Sequence, residues 1–266
     1  MQKIFFILLT QTIFCLGTPA LYKHEQKTAE TMPDRFRVLV TKSYIASASE
    51  QFSLNNLKHM SSLYPEHSLI VFDLRREFHG FSNEKPVCWQ TDEIEYSARG
   101  FQYNFELDPD QLEEAEDLLL KKEHCISEKQ LVQNLNPSFQ YIRLPILDHG
   151  IPSDEQVDFF LNELKEMPSN RWIHLHCAGG KGRAGVLLTM IDMLQEANHL
   201  SAQEIMNKHT ALGASKLYVP LSKKAKPYEQ KRSAFLCLFH KFCQETQENP
   251  SSWVSWLQKQ EEVINF

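Results

Sequence analysis

Short apolar runs alternate with amphipathic stretches along this chain. FRVLVTKSYI over 36–45 and SLIVFDL over 68–74 read as buried strands, the second delivering Asp73, Arg75 and Arg76 at its C-terminal edge. Residues 46–65 are mixed and predict no single element. Trp89, Tyr96, Phe101, Tyr103 and Phe105, scattered among turn residues, predict short strands and a small β-rich accessory domain near 81–107. Leu112, Ala115, Leu118 and Leu119 run at helical spacing through the nine carboxylates between Glu106 and Glu128, which predicts a surface helix with a solvated acidic face. No glycine-centred calcium loop is present there.

The second half is more regular. A strand over 139–144 leads into a loop over 145–152, and Ser153 with Gln156 forms a capping box opening a helix over 154–166 that Pro168 stops. Trp172–His176 is a strand, 177–183 a glycine-rich turn, and 184–196 an apolar helix. Ser201 with Glu204 opens the next helix, which ends near Ala211, and two more follow over 229–245 and 251–262. This order predicts an α/β fold, a central mostly parallel sheet flanked by helices, in one domain over 36–266.

Ahead of it, Lys3 precedes an apolar stretch from Ile4 to Leu16, and Thr18-Pro19-Ala20 offers small residues for cleavage. Residues 1–20 therefore read as a signal peptide, and 21–35 as a flexible lead-in. Export follows as the expected localisation, periplasmic or secreted, with delivery into another cell as a variant. No later run has the length to span a bilayer. The chain has 266 residues, 28 Lys and Arg against 34 Asp and Glu, hence a formal charge of −6. That composition excludes collagen, long coiled coil and wholesale disorder, and argues against nucleic acid as a partner. Beyond residue 20 the cysteines are Cys88, Cys125, Cys177, Cys237 and Cys243, an odd set without a CxxC pair, so neither a disulfide framework nor a zinc site is indicated.

The chemistry concentrates in His174-Leu175-His176-Cys177-Ala178-Gly179-Gly180-Lys181-Gly182-Arg183. A buried strand ends, a cysteine follows, and a turn with three glycines runs into a helix. Glycines let successive backbone N–H groups converge, and the helix terminus adds positive potential, so the loop is suited to hold an anion over a thiolate. Arg183 can reach back and grip two oxygens of a phosphoryl group. A nucleotide loop is excluded, because no Ser or Thr follows Lys181 and the four-residue gap is absent. His174, His176 and Cys177 lack a further ligand that would make a metal site, and no cofactor is indicated.

His-Cys, five residues, Arg resembles the signature of the protein tyrosine phosphatase superfamily. Asp73-Leu74-Arg75-Arg76-Glu77-Phe78-His79-Gly80, and Leu147-Asp148-His149 with Pro152, resemble two further elements of its cysteine-dependent inositol phosphatases, the PTP-like phytases. The resemblance implies Cys177 as nucleophile, Arg183 and the loop residues Gly179, Gly180, Lys181 and Gly182 as phosphate ligands, and Asp148 as general acid. It also implies that His176 orders the loop and that Arg75, Arg76 and His149 meet substrate. One departure stands out: the family usually places Thr or Ser after the arginine, to assist departure of the sulfur, and here the residue is Ala184.

Six bases between Lys216 and Arg232 face one acid, and Lys216, Lys223, Lys224 and Lys226 are read as a cleft wall for a polyanion. The expected substrate is a small inositol polyphosphate. The alternatives are a protein tyrosine, dual-specificity or phosphoinositide phosphatase, and a phosphate-binding module that has lost turnover.

Overall fold

The computed structural model describes residues 19–23, 32–41, 44–91, 109–168, 170–220, 222, 225–246 and 251–264. The strands are β1 (Pro19–Lys23), β2 (Arg37–Val40), β3 (Ile45–Glu50), β4 (Ser68–Arg75), β5 (His79–Ser82), β6 (Lys85–Thr91), β7 (Gln140–Ile146) and β8 (Arg171–Cys177). The helices are α1 (Leu54–Leu63), α2 (Pro109–Lys122), α3 (Glu128–Leu135), α4 (Asp154–Glu166), α5 (Arg183–Glu196), α6 (Ala202–Ala211), α7 (Pro227–Thr246) and α8 (Trp253–Ile264).

Five strands form the central sheet in the order β2-β3-β8-β4-β7, parallel except for the β2–β3 hairpin at the edge. The expected α/β architecture is therefore present. β8 lies in the middle and is buried along nearly its whole length, which is why its sequence shows no alternation. α5 is apolar on every side because it is enclosed: Arg183 through Met193 are all buried beneath α6, α7 and the sheet. On the opposite face Phe52, Leu57, Met60, Val71, Val132 and Trp172 form a second core, to which α1 and α3 contribute. A separate antiparallel sheet, β1-β6-β5, is the small β-rich unit expected near residue 81. Residues 92–108 of that expectation lie outside the described residues.

Three expectations change. The strand read over 36–45 is a hairpin, and the unassigned stretch beyond it supplies β3 and α1. β3 reads IASASE, too small and polar to register as a strand, yet its four central residues are buried. Ala46 and Ala48 join the core cluster shared with α5, and Ser47 accepts the Trp172 indole N–H at 2.7 Å while bonding His174 Nδ1 at 2.8 Å. The acidic helix is broken into α2 and α3 around His124, which has φ 53, and two of its nine carboxylates are interior: Glu116 is 6% exposed and Glu128 2%. Charge partners described below account for both. The lead-in is partly structured as well. Glu50 N–H donates to Asp34 O at 3.1 Å, and β1 crosses the expected cleavage point after Ala20. Residues 1–18 lie outside the described residues.

Burial of Ser47 makes a direct test. Ser47→Ala strands the Trp172 N–H without an acceptor in the interior, and should lower unfolding free energy by about 1–3 kcal/mol in denaturant titration. No change would mean that the indole finds another partner.

Candidate active site

The parallel strands β3, β4, β7 and β8 deliver Glu50, Arg75, Ile146 and Cys177 to one edge of the sheet, where open α/β sheets bind ligands. From Cys177, which is 3% exposed, the chain turns through residues 178–182 into α5. Every carbonyl of that turn is tied outward. Ala178 O accepts from Gln51 N at 3.4 Å, Gly179 O from Arg35 Nη1 at 3.1 Å and Gly180 O from Arg37 Nη2 at 2.9 Å. Lys181 O accepts from Ser215 N at 2.9 Å and Gly182 O from Val186 N at 2.9 Å. In a trans peptide the next N–H points opposite to the carbonyl, so the amides of residues 179–183 face inward, toward the space above Cys177. Gly182 caps α5 with no side-chain hydrogen bond, which leaves that helix terminus open to an anion. Gly180, at φ +65, cannot be replaced freely: a Cβ there would lie 2.3 Å from Glu50 N.

Arg183 is 2% exposed. Its Nη1 donates to Glu77 Oε2 at 2.6 Å and to Ile146 O at 3.1 Å, and its Nη2 to Glu77 Oε1 at 2.8 Å. Glu77 thus takes one edge of the guanidinium, leaving the Nε–Nη2 edge for two oxygens of a phosphoryl group. Asp148 Oδ1 lies 3.2 Å from Nη2, so the expected acid sits at that edge. Burial alone would raise the Glu77 carboxyl, but Arg183 and Arg75 hold it far below the usual carboxylate range.

Behind this pair runs a buried circuit of polar groups. Arg75 Nε donates to Glu77 at 2.9 Å and Arg75 Nη1 to Gln51 Oε1 at 2.8 Å; Gln51 Nε2 donates to Glu128 Oε2 at 2.7 Å. Glu128 Oε1 lies 2.6 Å from Nε2 of His176, the residue before Cys177. Residues 176 and 183, at the two ends of the loop, are thereby joined through the interior. His79 Nε2 adds contacts to Asp73 at 3.2 Å and Glu128 at 3.5 Å. Asp73 also accepts from Tyr141, and Glu116 is held by Arg143. Burial would lower the His79 imidazole, but Asp73 raises it to about 9; Glu128, which burial would raise, is held at about 2 by His176 and His79.

The sequence-expected residues sort accordingly. Cys177, Arg183, Asp148, His176 and the glycines come together. Lys181 is exposed at the loop's crest. Arg75, expected to meet substrate, is 3% exposed and engaged by Glu77 and Gln51, so it supports Arg183 instead. Arg76 is half-buried, and Lys216 and Lys226 are exposed. Lys223 and Lys224 lie outside the described residues. His149, with φ 58, packs its ring 4.6 Å from that of Tyr228.

Sequence reasoning passed over Glu77 as a site residue, although it stands inside the quoted motif, and Arg37, which faces Cys177 electrostatically. It also passed over Arg232, counted only within the basic run. That side chain is 2% exposed, its Nη2 would lie 2.5 Å from a Cβ at Gly182, and its Nε has no acceptor among the described residues. Cys177 and Asp148 favour its charge and Arg183 opposes it, so a buried cation stands beside the loop. Among the described residues no group of three or more His, Cys, Asp or Glu side chains is placed to hold a metal ion.

The His79 pair sets a pH dependence. With a folded value of about 9 against an ordinary 6.5, its stabilisation is complete below pH 6.5 and lost as pH rises through 9. Thermal or denaturant midpoints should fall across that window. His79→Gln should be less stable by about 3–5 kcal/mol at pH 6, because Asp73 and Glu128 lose their cation, and should show a flatter slope. An unchanged slope in the variant would assign the transition to another group.

Comparison with known proteins agrees with this geometry. A family model for PTP-like phytase, described by inositol hexakisphosphate, matches residues 109–195. The solved structure of a PTP-like phytase from Bdellovibrio bacteriovorus is 28% identical, with TM-score 0.75 over 94% of this chain and 98% of that one. A PTP-like myo-inositol phosphatase from Mitsuokella multacida, solved with myo-inositol-(1,3,4,5)-tetrakisphosphate, shares the fold at 20% identity and TM-score 0.76, over 93% of this chain and 50% of that one. Effector protein hopD2 of Pseudomonas syringae pv. tomato is 28% identical over 148 residues, 53% of this chain; the match spans 31% of hopD2's length. The nucleophile loop, the Asp73–Gly80 element with its buried circuit and these likenesses together make the chain similar to the PTP-like phytases of the cysteine-dependent protein tyrosine phosphatase superfamily.

Proposed function

We propose that this protein hydrolyses phosphomonoesters of myo-inositol polyphosphates through a phosphocysteine on Cys177. The observation that carries the reading is the loop of inward amides over that thiol, flanked by the open edge of Arg183 and by buried Arg232, whose Nε has no acceptor among the described residues. Three guanidinium groups, those of Arg37, Arg183 and Arg232, act electrostatically on Cys177, which suits a substrate dense in phosphate. The relatives named for phytase and for bound inositol tetrakisphosphate support the substrate class.

In the first step the Cys177 thiolate attacks phosphorus, the ester P–O bond breaks, and Asp148 gives its proton to the departing alcohol oxygen. Arg183 and the loop amides hold the non-bridging oxygens as charge shifts. Water then attacks the phosphocysteine, Asp148 takes a proton from it, and sulfur leaves as thiolate with release of inorganic phosphate. Export supports the same reading: the N-terminal pattern and the likeness to an effector both favour a secreted protein. Among the described residues no helix is long and apolar enough to cross a membrane.

The test is phosphate release by purified protein, with chelator present, from inositol hexakisphosphate, a phosphotyrosine peptide and a phosphoinositide. The hexakisphosphate should be preferred by kcat/KM, and Cys177→Ser should abolish release. Preference for either other substrate would reassign the substrate class, and strict metal dependence would overturn the mechanism.

Ala184 favours a second reading, phosphate binding with little turnover. It is fully buried immediately after Arg183, where the family usually supplies a hydroxyl. A hydrogen bond to the departing thiolate is worth roughly 1.5–3 kcal/mol, about ten- to a hundredfold in rate. Rapid-quench assays on an aryl phosphate should therefore show a burst and slow turnover, with Ala184→Thr or Ala184→Ser speeding the second phase and sparing the burst. Binding of the hexakisphosphate with neither burst nor turnover would favour the binding module.

A further inference from the structure

Asp148 and His149 sit on the loop that follows β7, and nothing in that loop's own backbone fixes them beyond the turn closed by Gly150 N–H on Leu147 O at 2.8 Å. His149 adopts φ 58, a left-handed conformation costly for a residue with a Cβ, so other contacts must hold it there. The side chains show what does. His149 Nε2 lies 3.5 Å from Asp148 Oδ2, while Asp148 Oδ1 rests on Arg183; on its other side the imidazole packs against Tyr228, ring centres 4.6 Å apart and planes inclined by 39°. Tyr228, in the first turn of α7, also carries the Arg232 guanidinium 5.5 Å from its ring centre and Lys226 Nζ at 5.6 Å. One half-buried ring therefore joins the loop bearing the acid to the buried cation beside the nucleophile loop.

We propose that Tyr228 is a positioning residue for the general acid: its ring braces His149, and through His149 the Asp148 carboxyl, against the Arg232 side of the phosphate site. The proposal rests on the assignment of Asp148 as acid. An aromatic contact of this kind is worth about threefold to tenfold in an equilibrium. Its loss should be felt where leaving-group protonation matters, as for an alkyl phosphate, and hardly at all for an aryl phosphate, whose oxygen departs without help.

The experiment compares kcat/KM on 4-nitrophenyl phosphate and on an inositol monophosphate for the full chain and its variants. Asp148→Asn should lose about a hundredfold or more on the alkyl ester and far less on the aryl ester. Tyr228→Leu should lose about five- to tenfold on the alkyl ester and under twofold on the aryl ester, and Tyr228→Phe should restore the wild-type ratio. His149→Ala should give the same asymmetry, and the double variant with Tyr228→Leu should be no worse than the poorer single variant. Asymmetry for Asp148→Asn with none for Tyr228→Leu, equal losses on both esters for Tyr228→Leu, or additive losses in the double variant would overturn the proposal alone. Equal losses for Asp148→Asn would overturn the acid assignment and the proposal with it.

Discussion

The contact on which the site depends is the two-pronged pair between Arg183 and Glu77, at 2.6 and 2.8 Å. An arginine that must present one edge to a phosphoryl group needs its other edge fixed, and a carboxylate of matching geometry fixes it in one orientation. Glu77 could not do this alone in the interior. Arg75 holds it, Gln51 holds Arg75, Glu128 holds Gln51, and His176 closes the circuit at the residue before the nucleophile. Buried charge is costly, and each member is tolerated because its neighbours satisfy it. The Asp-Leu-Arg-Arg-Glu-Phe-His-Gly string is thus mainly the support for the loop that follows Cys177.

The sheet explains how residues so far apart in sequence meet. β8 pairs in parallel with β3 and β4, so Cys177, Glu50 and the end of β4 arrive together, and an irregularity between Asp73 and Arg75 shifts the β4 register there. α5 is sealed behind the loop, with Gly185 meeting Ala214 so closely that an added Cβ would lie at 2.9 Å. A helix held in this way keeps its N-terminal amides aimed at one point.

Much of this is legible in the sequence alone. Periodicity placed α4 and α5 almost to their boundaries, and the spacing from Cys177 to Arg183 identified the loop. What escaped was hidden for definite reasons. β3 is made of alanine and serine, whose burial comes from Trp172, His174 and α5 and leaves no apolar period of its own. Glu116 and Glu128 look like members of a solvated run because their partners, Arg143 and His176, are distant in sequence. Arg232 sits in a basic segment, where composition suggests an exposed charge, while packing against Gly182 and Tyr228 makes it a buried one.

The central claim is that Glu77 prepares Arg183 for an anion, and oxyanion affinity tests it most directly. Calorimetric titration with tungstate of folded wild type and Glu77→Gln, with folding verified by thermal unfolding, separates two effects of one carboxylate. The account predicts binding about tenfold or more weaker in the variant, since a charge-assisted pair worth roughly 1.5–3 kcal/mol no longer orients the guanidinium. Equal or tighter binding in Glu77→Gln would contradict it, showing that Glu77 competes with the anion for Arg183.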